Sequence, residues 1–138
     1  MIQLTFTSAR FLPVPPEDCQ VNPGVYGFEL ALWLAQALAQ ADLYTSYPLS
    51  EDWGWFIEYN TDEIEVMIGC SSQCAAGEGY QGQAVDWLVF IEPHRTLKQW
   101  IKREPAASAL TAKLRDHIRA ALQAEGIEVA ITEDSVTR

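Results

Sequence analysis

The sequence predicts an α+β fold: a mostly antiparallel sheet of four to six strands, with two or three helices packed mainly on one face. Short runs with alternating apolar and polar residues follow one another, as in strands joined by hairpins. Two other regions, residues 22–41 and 97–125, repeat apolar residues at helical spacing. A chain of 138 residues that is 49% hydrophobic and 20% charged has the size and composition of one globular domain. We therefore expect a single domain over residues 1–138.

The N-terminal part predicts one strand and one helix. Residues 2–7 alternate apolar and polar side chains, which is the period of a strand with one buried face. After a proline-rich segment, Asn22 and Pro23 have the features of a helix start, because Asn22 can accept a backbone N–H and Pro23 has none to lose. The helix is expected to run to about Ala41 and to be central in the fold, with Gly27 in its first turns permitting close backbone packing.

The middle of the chain predicts strands. Residues 55–59 and 64–68 alternate on either side of a turn at residues 60–62, and this is the clearest hairpin signal in the chain. Residues 84–92 are nearly all apolar, as in a strand at the centre of a sheet, and Pro93 is expected to close it.

The C-terminal part predicts two helices and a last strand. A short amphipathic helix begins near Leu97 and is expected to end at Pro105. A second helix has an apolar stripe over residues 110–122, and Gly126 is a natural residue for its stop. Residues 127–131 then alternate as in a strand.

The charges are unevenly distributed along the chain. The net charge is −10, and residues 1–94 contain thirteen acids and one base, whereas residues 95–119 contain seven bases and two acids. An acidic body repels nucleic acid and anionic membrane surfaces, so neither is expected as a partner. Two interpretations remain open: basic helices lie beside acidic strands and partly neutralise them, or the acidic part is a docking face for a basic partner.

The string Glu51-Asp-Trp-Gly-Trp55 is the most distinctive in the chain. Two indoles beside carboxylates could bind a basic, partly apolar ligand or anchor a protein interface. In an extended strand Trp53 and Trp55 would share a face, because they are two residues apart. Packing at the end of the sheet would explain the indoles as well. The candidate binding residues are Glu51, Asp52, Trp53, Trp55 and Glu58.

A metal site is a weaker alternative. Cys19, Cys70, Cys74 and His94 could supply three thiolates and one imidazole to a structural zinc ion. A Cys-x3-Cys spacing is a poorer zinc signal than paired Cys-x2-Cys motifs, and Cys70 at a strand end is equally explained as a core residue. We predict no metal.

No cofactor or catalytic residue is predicted either. Gly77-Glu-Gly-Tyr-Gln-Gly82 matches the glycine pattern of dinucleotide sites, but a strand follows it where that site needs a helix. The two histidines, His94 and His117, and the serines at positions 71 and 72 form no pattern typical of a nucleophile and its base.

Two strings in the chain resemble a known group. Val21-Asn-Pro-Gly-Val-Tyr-Gly27, leading into a helix rich in Ala, Leu and Trp, and the later Glu51-Asp-Trp-Gly-Trp55 resemble a set of small bacterial proteins of uncharacterised function. The matching part is about a quarter of the chain. The resemblance implies a bacterial origin and a standalone domain, and it implies no activity. In being small, acidic and rich in tryptophan, the chain also resembles bacterial immunity and inhibitor proteins.

These observations together predict a non-enzymatic binding module that recognises a protein partner, with a basic partner suggested by the charge. The alternative is a small enzyme or ligand-binding domain with a pocket near Trp53, Trp55 and the loop at residues 71–83. Residues 1–10 lack the pattern of an export signal, so we expect a cytoplasmic protein with reduced cysteines. We expect a monomer or a homodimer, the latter through an edge strand, either the first or the last.

Overall fold

The computed structural model describes residues 1–12, 26–73, 83–94 and 97–133, with side chains from residue 106 onward in the last of these ranges. Within this part the chain forms six strands and two helices. In chain order they are β1 (Ile2–Ser8), α1 (Phe28–Ala39), β2 (Leu49–Glu51), β3 (Gly54–Asn60), β4 (Glu65–Ser72), β5 (Val85–His94), α2 (Leu97–Ala124) and β6 (Ala130–Glu133).

The strands form one antiparallel sheet in the order β2-β3-β4-β5-β1-β6. The predicted α+β class, the hairpin of β3 with β4, and the interior position of β5 are confirmed. β1 lies between β5 and β6, with Leu4 opposite both Val89 and Ile131. The first strand is therefore not an edge, as one expectation had it, and the edges among the described strands are β2 and β6.

The sheet has one face packed on both helices, which we call the inner face, and an opposite outer face. Alternate residues of the central strands point inward and are fully buried, among them Ile57, Ile68 and Ile91, which lie side by side in register. They meet an apolar stripe of α1 and one of α2, represented by Leu34 and Leu114. The core therefore lies between the inner face and the helices. Burial of each such side chain stabilises the fold by about 1.5–3 kcal/mol.

The start of α1 and the extent of α2 differ from what the local sequence predicts. α1 begins at Phe28, and the expected start at Asn22 is wrong for this helix, because Gly27 has φ 153° and interrupts helical geometry. Asn22 itself lies outside the described residues. α2 is one continuous helix that passes through Pro105, where two helices were expected. Proline removes one backbone hydrogen bond from a helix without excluding it.

The end of α2 follows the sequence closely. Gly126 has φ 80°, a left-handed conformation that glycine adopts without strain. Its N–H donates to the carbonyl of Gln123, and the N–H of Ile127 donates to the carbonyl of Leu122. This is the Schellman arrangement, which satisfies the last carbonyls of the helix, so the predicted stop is confirmed.

Two glycines pack against a single carbonyl group in the sheet. A Cβ placed on Gly27 would lie 2.7 Å from the Cys70 carbonyl oxygen, and one placed on Gly54, with φ 157°, would lie 2.3 Å from the same atom. Real Cβ atoms do not approach backbone so closely, and neither φ suits a residue with a side chain. The backbone just before α1 and the start of β3 thus both lie against Cys70, near the C-terminal end of β4.

We expect Gly27→Ala to lower the free energy of unfolding by about 3 kcal/mol, because it adds a clash with backbone to an unfavourable φ. The control is Gly126→Ala, which also places a side chain at a positive φ but has no atom within 4 Å of the added Cβ. Its cost should be about 1 kcal/mol. Urea denaturation of the three proteins measures both values, and equal losses would show that the contact with Cys70 is unimportant.

Candidate functional site

The outer face carries a cluster of three aromatic side chains. Phe56 of β3 and Phe90 of β5 lie on either side of Gly69 in the register of the sheet. The ring of Trp53, in the turn before β3, has its centroid 6.3 Å from that of Phe56 and 5.0 Å from that of Phe90. Trp53 remains 36% exposed. We call Trp53, Phe56 and Phe90 the outer aromatic cluster.

Glycine at position 69 allows this cluster to form. The ring of Phe90 lies over the Gly69 backbone, so that a Cβ on residue 69 would be 2.2 Å from a ring carbon of Phe90. Any side chain there would require the ring of Phe90 to move. An aromatic ring that covers a glycine on the neighbouring strand is a known means of filling the space that the missing side chain leaves.

Trp53 and Trp55 lie on opposite sides of the sheet, so the expectation that they share a face is wrong. Asp52 and Trp53 form a two-residue turn between β2 and β3, and Gly54, with its positive φ, begins the next strand. The two-residue period of a strand does not apply across this turn. Trp55 is 7% exposed and packs edge-on against Phe28 at a centroid distance of 5.2 Å.

A row of carboxylates lies beside the outer aromatic cluster. Glu58 and Glu92 stand on either side of Met67 in the register of the sheet, two residues beyond Phe56 and Phe90 on their own strands. We call Glu58 and Glu92 the acidic row. Within the described residues neither carboxylate takes part in an ion pair.

A repeated Phe-Ile-Glu triplet supplies both phenylalanines of the outer aromatic cluster and both carboxylates of the acidic row. Phe56-Ile57-Glu58 in β3 and Phe90-Ile91-Glu92 in β5 are identical, and the intervening β4 places them in register. In both triplets the isoleucine is buried on the inner face while its neighbours lie on the outer face. The repeated triplet is the signal by which sequence reasoning could have found Phe56, Phe90 and Glu92, which it missed.

The structure brings four of the five predicted binding residues to the outer side. Glu51, Asp52 and Trp53 lie at the turn between β2 and β3, and all three are exposed. Glu58 follows on β3 and is half-buried, with its backbone N–H donating to Ser46 Oγ at 3.0 Å. Trp55 is the exception, because it belongs to the core.

Basic side chains lie away from the acidic row. Among residues whose side chains are described, the bases are paired elsewhere or lie on α2: Arg10 pairs with Glu125 at 2.8 Å, and Arg115 pairs with Asp116 at 3.0 Å. The hydrogen bond from Arg115 is the main cause of a lowered pKa at Asp116. The described bases of α2 belong to a helix that packs on the inner face, and none of them pairs with Glu58 or Glu92. Neutralisation of an acidic strand by the helix, one of the two interpretations, applies to Glu133 of β6, which pairs with Arg115.

The zinc alternative gains no support from the part of the chain that the structure describes. Cys70 is fully buried on the inner face, and desolvation raises the pKa of its thiol far above the usual range, which disfavours the thiolate that a metal requires. Cys19, Cys74 and the side chain of His94 lie outside the described residues. Among the residues described, no group of three or more His, Cys, Asp or Glu could hold a metal ion.

The pocket proposed near Trp53 and Trp55 cannot be lined by both indoles, because the sheet lies between them. The loop at residues 71–83 is described only at 71–73 and 83, and Gly77–Gly82 fall outside. A groove of about 820 Å³ does exist at a different place, where Phe6, Thr7 and Asp86 face the segment that leads into β6. It contains none of the predicted binding residues.

Comparison with known proteins adds no family to this geometry. No family model matches the chain, and neither a curated protein nor a solved structure matches it. Within the described residues no helix combines the length and the apolar character needed to cross a membrane. The resemblance of Val21–Gly27 and Glu51–Trp55 to small bacterial proteins stays a prediction.

The two tryptophans should differ sharply in what they contribute to stability. We expect Trp55→Ala to cost about 3–5 kcal/mol, because it leaves a large cavity in the core. Trp53→Ala should cost about 1 kcal/mol, the value of its contacts with the two phenylalanine rings. Chemical denaturation followed by far-UV circular dichroism measures both, and a larger loss for Trp53 than for Trp55 would contradict the assignment of the two faces.

Burial should also protect Cys70 from alkylation. At pH 8 we expect iodoacetamide to leave Cys70 unmodified in the native protein and to modify it in urea, because its raised pKa and lack of access both suppress thiolate attack. Peptide mass mapping resolves Cys70 from the other two cysteines. Rapid native modification of Cys70 would show that the inner face opens.

Proposed function

We propose that this chain is a non-enzymatic binding module whose outer sheet face binds a basic protein partner. The observation that carries the proposal is the pair of Phe-Ile-Glu triplets, which places aromatic rings and carboxylates side by side on a face that no described helix covers. The isoleucines are accounted for by the core. Packing of the core gives no reason for the phenylalanines and glutamates to recur on the other side.

The outer aromatic cluster has the character of an interface anchor. Tryptophan is enriched among the residues that dominate binding energy, and a rigid ring loses little conformational entropy when a partner covers it. Trp53 is held on two sides by Phe56 and Phe90 and still presents 36% of its surface. The exposed Tyr47 and Leu49, on or next to β2, extend this apolar surface toward the edge of the sheet.

The charge of the face supports a basic partner. Glu51, Glu58 and Glu92 lie on it, and within the described side chains no base neutralises them. Uncompensated charge of one sign accelerates association with a partner of the opposite sign and repels others. Such binding weakens as salt screens the charges. In this proposal the module is a cytoplasmic bacterial protein of inhibitor or immunity type, which its small size and acidity favour.

The test is capture of partners from a bacterial lysate on immobilised protein at low and at high salt, with mass spectrometry of the eluate. We expect a basic protein that is released as salt rises, and whose retention falls about tenfold or more on Glu92→Lys, because a like charge then faces it.

The matched control is Glu128→Lys, which makes the same change of charge at an exposed residue before β6. It should retain the partner. The proposal is wrong if Glu92→Lys retains every basic partner as well as the unaltered protein does.

A further inference from the structure

We infer that the outer face recognises arginine in its partner in preference to lysine, an inference that rests on the proposed function. The site is the surface formed by the outer aromatic cluster, the acidic row and Met67 of β4, which lies between the two carboxylates in the register of the sheet. The ring of Phe90 covers Gly69, so the rings and Met67 form the apolar part of this surface. We call it the outer site.

The spacing between the rings and the carboxylates of the outer site suits a long side chain with an apolar stem and a charged head. Along β3 and β5 each carboxylate follows its ring by two residues on one face, which is about 7 Å. Across the sheet, Glu58 and Glu92 are separated by two strand spacings, about 10 Å. A stem can therefore lie on the rings and Met67 while its head reaches either carboxylate.

The aromatic rings and carboxylates of the outer site favour a guanidinium over an ammonium. A guanidinium is planar, stacks on an aromatic face such as that of Trp53, and donates two parallel hydrogen bonds to one carboxylate. It is also less strongly hydrated than the ammonium of lysine, so its transfer to a partly apolar surface costs less. Lysine can satisfy the charge of Glu58 or Glu92 but cannot stack in this way.

A second copy of this chain is a poorer source of the arginine. Of the described arginines, Arg10 is paired with Glu125, Arg115 with Asp116 and Glu133, and Arg119 with Asp116. Docking one of these described arginines on the outer site of another molecule would first break an ion pair of its own. In the proposed function the arginine belongs to a different protein.

The test uses two synthetic peptides of equal length and charge, one alternating arginine with serine and the other lysine with serine. Their binding to the full chain is measured by isothermal titration calorimetry at low salt. We expect the arginine peptide to bind about fivefold more tightly, the effect of one favourable cation–π contact. In Trp53→Leu the preference should disappear, and in the double variant Glu58→Gln, Glu92→Gln both peptides should bind more weakly.

Equal affinity for the two peptides, or no binding of either, overturns the inference. So does a preference that survives in Trp53→Leu, since arginine would then be recognised elsewhere. These outcomes are separate from failure of the proposed function, which is decided by whether Glu92→Lys loses the basic partner captured from lysate. If the protein captures such a partner but does not distinguish the peptides, the proposed function is supported and the preference for arginine is refuted.

Discussion

The arrangement of α1, β3 and β4 depends on close backbone packing around the carbonyl oxygen of Cys70. The backbone at Gly27, before α1, and the backbone at Gly54, at the start of β3, both approach it so closely that a side chain on either would overlap it. The backbone that leads into α1 and the start of β3 are thereby both packed against β4. Gly27 belongs to the string Val21–Gly27 and Gly54 to the string Glu51–Trp55, and close packing is a sufficient physical reason for glycine at each position.

The turn before Gly54 decides which face of the sheet each tryptophan joins. Because Gly54 follows a two-residue turn, Trp53 lies on the outer face while Trp55 enters the core beside Phe28. The inner face, with both helices, accounts for stability. The outer face keeps aromatic rings and carboxylates without a described cover, and no described base pairs with the acidic row.

Local pattern predicted the elements whose cause is local. The hairpin of β3 with β4 and the stop of α2 at Gly126 follow from alternation and from one left-handed residue. Prediction went wrong where a distant contact decides the backbone, as at Gly27, which delays the start of α1. It also went wrong at Pro105, where a helix continues through a residue that usually ends one. For the site, the turn residues were found by composition, and Phe90 and Glu92 were overlooked in a strand that looked uniformly apolar.

By itself the sequence determined the two-residue alternation of each strand, the helical stripes and the acidity of the first 94 residues. These depend on neighbours along the chain. Only the tertiary structure decided that the two Phe-Ile-Glu triplets stand in register, with Gly69 and Met67 between them. Register across strands is set by long-range pairing and by the need to bury one face of every strand, and a shift of one residue would have turned every ring and carboxylate of the site toward the core.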